Sequence, residues 1–294
     1  MADTGVPIAS GPVAAAGFRV FWRRLRQSPA TLAGGLIVIF FLLTAIFGPL
    51  ISPYGFAEQN IDMRLLPPSL GHPFGTDLFG RDVFSRVLIG SRDIFVLSGS
   101  GTLGAVLLGV AIGLFSGYYG GLLDETLMRL MDVLLAFPAL LLAMLLLATM
   151  GSSALSVVLV VVVLHIPMVS RIVRSVVLDL KTNDFVEAAK VRGESSLYIM
   201  LVEILPNATA PLVVEAAARF SYSIFLIASL GFLGLGVQPP SPDWGLMVSE
   251  ARDSYSLGPW MLAFPSAAIS LLMVGVSLLS EGLRRLLRPG IGGD

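Results

Sequence analysis

Five long stretches of the chain carry no Asp, Glu, Lys or Arg: residues 27–57, 94–123, 133–170, 220–242 and 254–280. A helix needs about 20 mostly apolar residues to cross a bilayer core, so four of these stretches hold one span each. The third is 38 residues long and contains Gly151-Ser152-Ser153, a turn signal. It predicts a hairpin of two helices, the first starting a little before Val133. Runs such as ALLLAMLLLATM and LSVVLVVVVL are apolar on every side, whereas strands of a membrane barrel alternate in polarity. The pattern therefore predicts an all-α integral membrane protein with six transmembrane helices.

The polar segments divide the chain further. Residues 1–29 are expected to be an N-terminal tail, 30–56 the first transmembrane helix and 57–93 a long loop rich in Pro, Gly and Asp. Residues 94–288 form a five-helix core interrupted by polar segments at 181–206 and 238–253, and 289–294 are a short tail. The first apolar run is too long for a signal-peptide core and lacks a small-residue cleavage site, so it reads as a retained span. Basic residues gather on the cytoplasmic side of membrane proteins. With the N-terminus inside, Arg19, Arg23, Arg24, Arg26, Arg129, Arg171, Arg174, Lys181, Lys190, Arg192, Arg284, Arg285 and Arg288 are cytoplasmic. Only Arg64, Arg81, Arg86, Arg92 and Arg252 are outside. Both termini are expected in the cytoplasm, with 57–93 and 238–253 outside.

Composition agrees with a membrane location. The chain is 55% hydrophobic and only 13% charged, with mean hydropathy +0.85, against about 25% charged residues in a typical soluble domain. That argues against a disordered chain and a soluble enzyme. A net charge of −1 gives no reason to expect a nucleic-acid partner. There is no Cys, and the two His, His72 and His165, are far apart in sequence; disulfides and Cys- or multi-His metal sites within the chain are excluded. Neither lysine follows a glycine, so no phosphate-binding loop for ATP is present.

Charges near or within the spans are functional candidates by default. The third span opens with Asp124, Glu125, Arg129 and Asp132, and the i,i+3 spacing predicts an Arg129–Asp132 pair. Glu215 and Arg219 are spaced i,i+4 at the start of the fifth. His165 near a serine raises the alternative of an intramembrane hydrolase, set against a buried imidazole that bonds a neighbouring helix or a carbonyl freed by Pro167. A proton-coupled carrier wants an isolated carboxylate deep in a span, and none is present.

The most informative polar segment is TNDFVEAAKVRGESSLYIMLVEILPN, residues 182–207. Asp184 and Glu187 have capping-box spacing, with Asp184 as the expected cap. Ala188 and Ala189 make a helix of small residues, and Gly193 can adopt the left-handed conformation that ends it. Residues 197–205 form a second apolar stretch, which Pro206 is expected to stop. Small side chains on a protruding helix let another protein approach closely.

EAAKVRG followed by ILP resembles the EAA loop of ABC importer permeases, matching at Glu187, Ala188, Ala189, Gly193, Leu205 and Pro206. HPFGTDLFGRDVFSRVLIGSR (72–92), DETLMRLMDVLLAFPALLLA, SLGFLGLGVQPPSPDWGLM and the Arg-Pro tail resemble C-type permease subunits of dipeptide, oligopeptide and nickel importers. The resemblance runs from about Arg19 to Pro289. Glu203, Ile227 and Glu194 depart from the usual residues at their positions. The resemblance implies a type I permease fold with a cytoplasmic coupling helix, docking the ATPase through Asp184, Glu187, Ala188, Ala189, Gly193, Leu205 and Pro206. It implies a second homologous permease subunit, two ATPase subunits and an extracytoplasmic substrate-binding protein as partners, all at a lipid membrane. ATP and Mg belong to the ATPases; this chain carries no cofactor and no catalytic residue. Relatives carry peptides, nickel chelates or other small solutes, with peptides the best match. For the outside loops, Asp77, Arg81, Asp82, Asp243 and Trp244 are the expected contacts with the binding protein.

Overall fold

The computed structural model describes residues 28–287. The expected tails, except Ser28 and Pro29, and Arg19, Arg23, Arg24, Arg26 and Arg288 lie outside the described residues. The described chain is helical, with no strand longer than an isolated Thr76–Asp82 bridge. Its helices are α1 (Pro29–Ile51), α2 (Val83–Tyr119), α3 (Gly121–Ala136), α4 (Ala139–Met150), α5 (Ala154–Leu180), α6 (Asp184–Val191), α7 (Ser196–Asn207), α8 (Thr209–Phe232), α9 (Trp244–Ala251) and α10 (Trp260–Leu287). Five of these, α1, α2, α5, α8 and α10, are long and apolar enough to span a membrane; α3 and α4 together make a sixth if a bent pair counts as one.

Local chemistry sets the ends. Ser28, Asp82 and Ser153 cap α1, α2 and α5, each accepting a hydrogen bond from the backbone N–H three residues on. Gly120 (φ +69°) and Gly151 (φ +79°) turn the chain at the C-terminal ends of α2 and α4. The break at 151–153 falls where the sequence places it. A second break does not: α3 and α4 meet at 93° across Phe137-Pro138. Proline biases the residue before it away from the helical region, and Phe137 is extended (φ −88°, ψ 138°). The loop expected to reach residue 93 ends at Asp82, because α2 begins with three turns that still carry Arg86, Arg92 and Asp93. The loop expected over 238–253 contains α9, whose Trp244, Leu246 and Met247 are buried.

The axis of the fold is the contact of α2 with α5. Gly101, Gly109, Gly113 and Gly117 meet Val161, Val169, Val173 and Val177, each partner 60 residues further along. The constant offset makes the two helices parallel and in register. A Cβ added at any of these glycines would lie 2.5–2.8 Å from the valine Cβ, so the backbones approach as only small residues allow. Around this pair, α1 packs on α10 through Gly34, Gly275 and Gly282. One apolar core joins α1, α2, α5, α8, α9 and α10 around Ile94, Val157, Ile224, Trp244 and Leu272. A second joins Leu114 and Val173 to α6 and α7.

Candidate functional site

The α6 end of the molecule is a small unit of its own. α6 starts one residue earlier than the capping box requires: Asn183 holds the cap position and Asp184 lies in the first turn. The Glu187 N–H bonds the Asn183 carbonyl at 3.2 Å, so the helix closes on backbone alone. Acidic Asp184 and Glu187 still stand at the positive end of the peptide dipoles. At the other end Gly193 takes φ +79°, and the Glu194 N–H reaches the Ala189 carbonyl at 3.2 Å, which is the Schellman closure.

The faces of α6 are split. Val186 and Ala189 are fully buried against Ile199, Met200 and Ile204 of α7 and the valines of α5. Asp184, Glu187, Ala188, Lys190 and Val191 are exposed. Ala189 is therefore not part of an outward docking face, correcting the expectation; it is the small residue that seats α6 on its own protein. Leu205 is half-buried, and Pro206 is exposed but does not stop α7, which runs one residue further. Glu203, a departure from the family pattern, accepts from Arg192 Nη2 at 2.9 Å and ties α7 back to the end of α6.

Beside it, α3 is clamped to α5. Arg174 donates Nε and Nη2 to the two oxygens of Asp124, both at 2.6 Å, the bidentate geometry that makes arginine–carboxylate pairs strong. Ser116 also donates to Asp124, and Lys181 Nζ donates to the Gly117 carbonyl at 2.8 Å. Asp132 pairs with Arg171 of α5 rather than with Arg129. Arg129 instead lies 3.7 Å from Glu125, with both side chains largely exposed. The expected Arg129–Asp132 pair is thus replaced by a contact between helices, because a packed neighbour brings its guanidinium where a residue on the same helix face offers only a weak exposed pair.

Inside the bundle, Glu215 Oε1 and Arg219 Nε are 2.7 Å apart and mostly buried. They are off the line a hydrogen bond needs, so the attraction is Coulombic. Arg219 also lies over the Tyr222 ring at 4.8 Å. His165 Nδ1 is 3.2 Å from Ser223 Oγ, which is 2.9 Å from Thr102 Oγ1 and donates to the Arg219 carbonyl at 2.8 Å. The imidazole joins α5 to α8, and the serine beside it is already committed to its own helix. That is the arrangement of a structural contact, not of an activated nucleophile.

At the opposite end the motif residues make a buried plug. Asp82 caps α2 and accepts from His72 Nδ1 at 2.9 Å, while Tyr54 stacks on the imidazole. Asp77 holds its own turn through the Phe79 and Arg81 N–H groups and pairs with Arg81 Nε at 2.5 Å. Arg81 Nη2 reaches Glu250 of α9 at 2.6 Å. Arg86, 1% exposed, donates to the carbonyls of Phe56 (2.9 Å) and Ser241 (3.2 Å). Trp244 Nε1 donates to the Val87 carbonyl at 3.0 Å. Asp243 caps α9 through the Leu246 N–H at 2.8 Å. Asp77, Arg81, Asp82, Asp243 and Trp244 are all at most 9% exposed, so none offers its side chain to a partner's surface. Their polarity serves caps and interior pairs that join the two loops, and Arg86 and Glu250, which complete the network, escaped the sequence reading.

Burial pushes the Asp243 carboxyl up to about 6, with nearby Asp93 adding to the rise and the Leu246 N–H opposing it. Its folded value lies above its unfolded value near 4. The folded chain therefore holds the extra proton between about pH 4 and 6, and stability falls as pH rises through that window. Asp243→Asn keeps an acceptor for the cap and removes the buried charge. It should raise the thermal midpoint of the purified chain at pH 8, by about 1–3 kcal/mol in stability, and lose that advantage by pH 5. An equal effect at both pH values would show that the carboxylate is not the cause.

Comparison with known proteins adds the identity of the scaffold. A family model described as "Binding-protein-dependent transport system inner membrane component" matches residues 109–293. A second, "N-terminal TM domain of oligopeptide transport permease C", matches residues 18–68. The dipeptide transport system permease protein of Alkalihalophilus pseudofirmus is 38% identical over 272 residues, covering 92% of this chain and 90% of the relative. The glutathione transport system permease protein of Escherichia coli O157:H7 is 42% identical over 279 residues, covering 93% and 90%. Its counterpart in Pectobacterium atrosepticum is 40% identical over 274 residues, covering 92% and 91%.

Proposed function

The chain belongs to the inner-membrane permease components of binding-protein-dependent ABC importers, and from that membership we propose that it forms half of an ATP-driven pathway for small peptides. The relatives named for dipeptide and glutathione transport both favour peptide-type cargo. In this reading a second, homologous permease completes the pathway, two ATPase subunits bind and hydrolyse ATP with Mg, and an extracytoplasmic protein delivers the cargo. The α6 end and both termini face the cytoplasm, as the excess of Arg and Lys on that side supports.

The observation that carries the mechanism is the split of α6. One face, Val186 and Ala189, is bolted through the second apolar core to Leu114 of α2 and to Val173 and Val177 of α5. The other face, with Asp184, Glu187, Ala188 and Lys190, is free to meet a partner. A push on the exposed face cannot be absorbed locally, because close-packed side chains transmit displacement. The charge clamps from α5 to α3 carry the same motion to the broken helix pair.

Ala188 is exposed, so Ala188→Trp should leave the permease folded while holding the ATPase away by more than a methyl's width. Contacts are forfeited over such gaps, and association should weaken about tenfold or more, roughly 1.4 kcal/mol. A Cβ at Gly193 would meet open space, but the residue has a positive φ, so Gly193→Val acts only through the backbone. It should tilt α6 and uncouple ATP hydrolysis from uptake. The measurement is ATPase activity and peptide uptake by the whole complex in proteoliposomes. Unaltered coupling in both variants would remove α6 from the drive train.

A further inference from the structure

In the proposed orientation the outer end of the bundle holds a groove of about 540 Å³ where the third and fourth turns of α2, the start of α5 and the proline-rich loop after α8 converge. We propose that this groove is a subsite for a small peptide with free termini, Arg92 receiving the carboxylate and Asp93 the ammonium group. The assignment rests on the peptide reading above and says where the cargo meets this chain.

Two charges in the groove have no salt-bridge partner among the described residues. Arg81, Arg86, Arg174 and Arg219 are each held by a carboxylate. Arg92 is exposed and has no salt bridge among the described residues. Asp93 is half-buried; Ser241 Oγ donates to its Oδ2 at 3.1 Å, and no hydrogen bond among the described residues engages Oδ1. An unpaired charge on a spanning helix is expensive unless water or a ligand meets it.

Their spacing matters as much as their freedom. Adjacent residues on a helix diverge by about 100° and do not face each other. Arg92 and Asp93 both line the groove, so they present a positive and a negative group side by side with no salt bridge between them. A ligand with one charge of each sign matches that display; an anion or a cation alone is opposed by one of the two. The remaining wall is largely apolar, with Phe56, Val96, Leu97 and Pro240, and it can cover peptide side chains without requiring a particular one. The volume falls within the range of about 300–1,000 Å³ usual for small-molecule sites. The cavity beside α3 lacks this character, since the Asp124 and Arg174 that line it are already paired with each other.

The test uses the complete transporter in proteoliposomes. The chain has no Cys, so Val96→Cys, at an exposed groove residue, places a single reporter on it. A membrane-impermeant maleimide is added outside, and its rate of reaction with this chain is measured without the binding protein. Millimolar glycyl-leucine should slow labelling at least threefold, and N-acetyl-glycyl-leucine amide should not. Arg92→Gln and Asp93→Asn should each abolish the protection. The blocked peptide tests the terminal charges on the unaltered groove, independently of how either variant folds. Intact glycyl-leucine import with unprotected labelling overturns the subsite alone. So does equal protection by the blocked peptide, or protection by the cargo-free binding protein in place of peptide, which would make the groove a protein-docking surface. Protection without import under ATP overturns the peptide-import reading alone.

Discussion

Gly113→Leu should prevent the permease from reaching its folded state, and even Gly113→Ala should cost more than the same change at neighbouring glycines. A Cβ at Gly113 lies 2.5 Å from Val173 Cβ and 2.6 Å from the Ser170 carbonyl oxygen. A backbone oxygen cannot rotate away, so α2 and α5 must separate. Separation also loosens the contacts of Gly109 with Val169 and of Gly117 with Val177. Overpacking alone costs about 1–3 kcal/mol, and the lost neighbours add to it. Gly104→Ala meets only the Val162 side chain, at 2.8 Å from one methyl, and Gly99→Ala meets nothing within 4 Å. The thermal midpoints of the detergent-purified chain should rank Gly99→Ala highest, then Gly104→Ala, then Gly113→Ala. A flat series would mean that the glycine stripe does not set the approach of the two helices.

Arg86→Met should release the buried plug. The guanidinium joins the carbonyl of Phe56, before α2, to that of Ser241, before α9, and stands 3.6 Å from Glu250. Removing it leaves both carbonyls without this donor. Breaking a buried charged network by deleting one member costs about 3–5 kcal/mol. Lysine should rescue little, since a single ammonium lacks the planar fork that serves two carbonyls at once. Glu250 keeps Arg81 at 2.6 Å, so the loss should show first as cleavage of the loops by added protease and only later as global unfolding. Wild-type protease resistance in both Arg86→Met and Arg86→Lys would show that the plug is held by its apolar contacts.

The spans were legible because a bilayer imposes a length on apolar runs, and those runs are unambiguous here. Gly151 and Gly193 were legible because a positive φ is a local demand. The break at Pro138 carried a local signal too, outweighed by the apolar run on both sides. What sequence could not resolve was burial decided at a distance. Asp77 and Arg81 look like surface residues until Glu250, nearly 170 positions later, is set beside them. Arg171 takes Asp132 from the sequence-adjacent Arg129 for the same reason. Two signals were present in plain periodicity. Val186 and Ala189, three apart, mark the inward face of α6. Gly101, Ala105, Gly109, Gly113 and Gly117, four apart, mark one stripe of α2.

That stripe limits how the transporter can move. Sixteen residues separate Gly101 from Gly117, about 24 Å of helix at 1.5 Å per residue. Over that length each valine of α5 sits in its own notch. Sliding α5 by one residue would set side chains against backbone at every notch together, and rotating it would do the same. Piston and screw motions are therefore barred, and the pair behaves as a keyed shaft with one remaining freedom, to rock as a unit. A force applied where α6 is seated must then reappear at the far end as a tilt of the plug, reversed in direction about whatever pivot the membrane supplies.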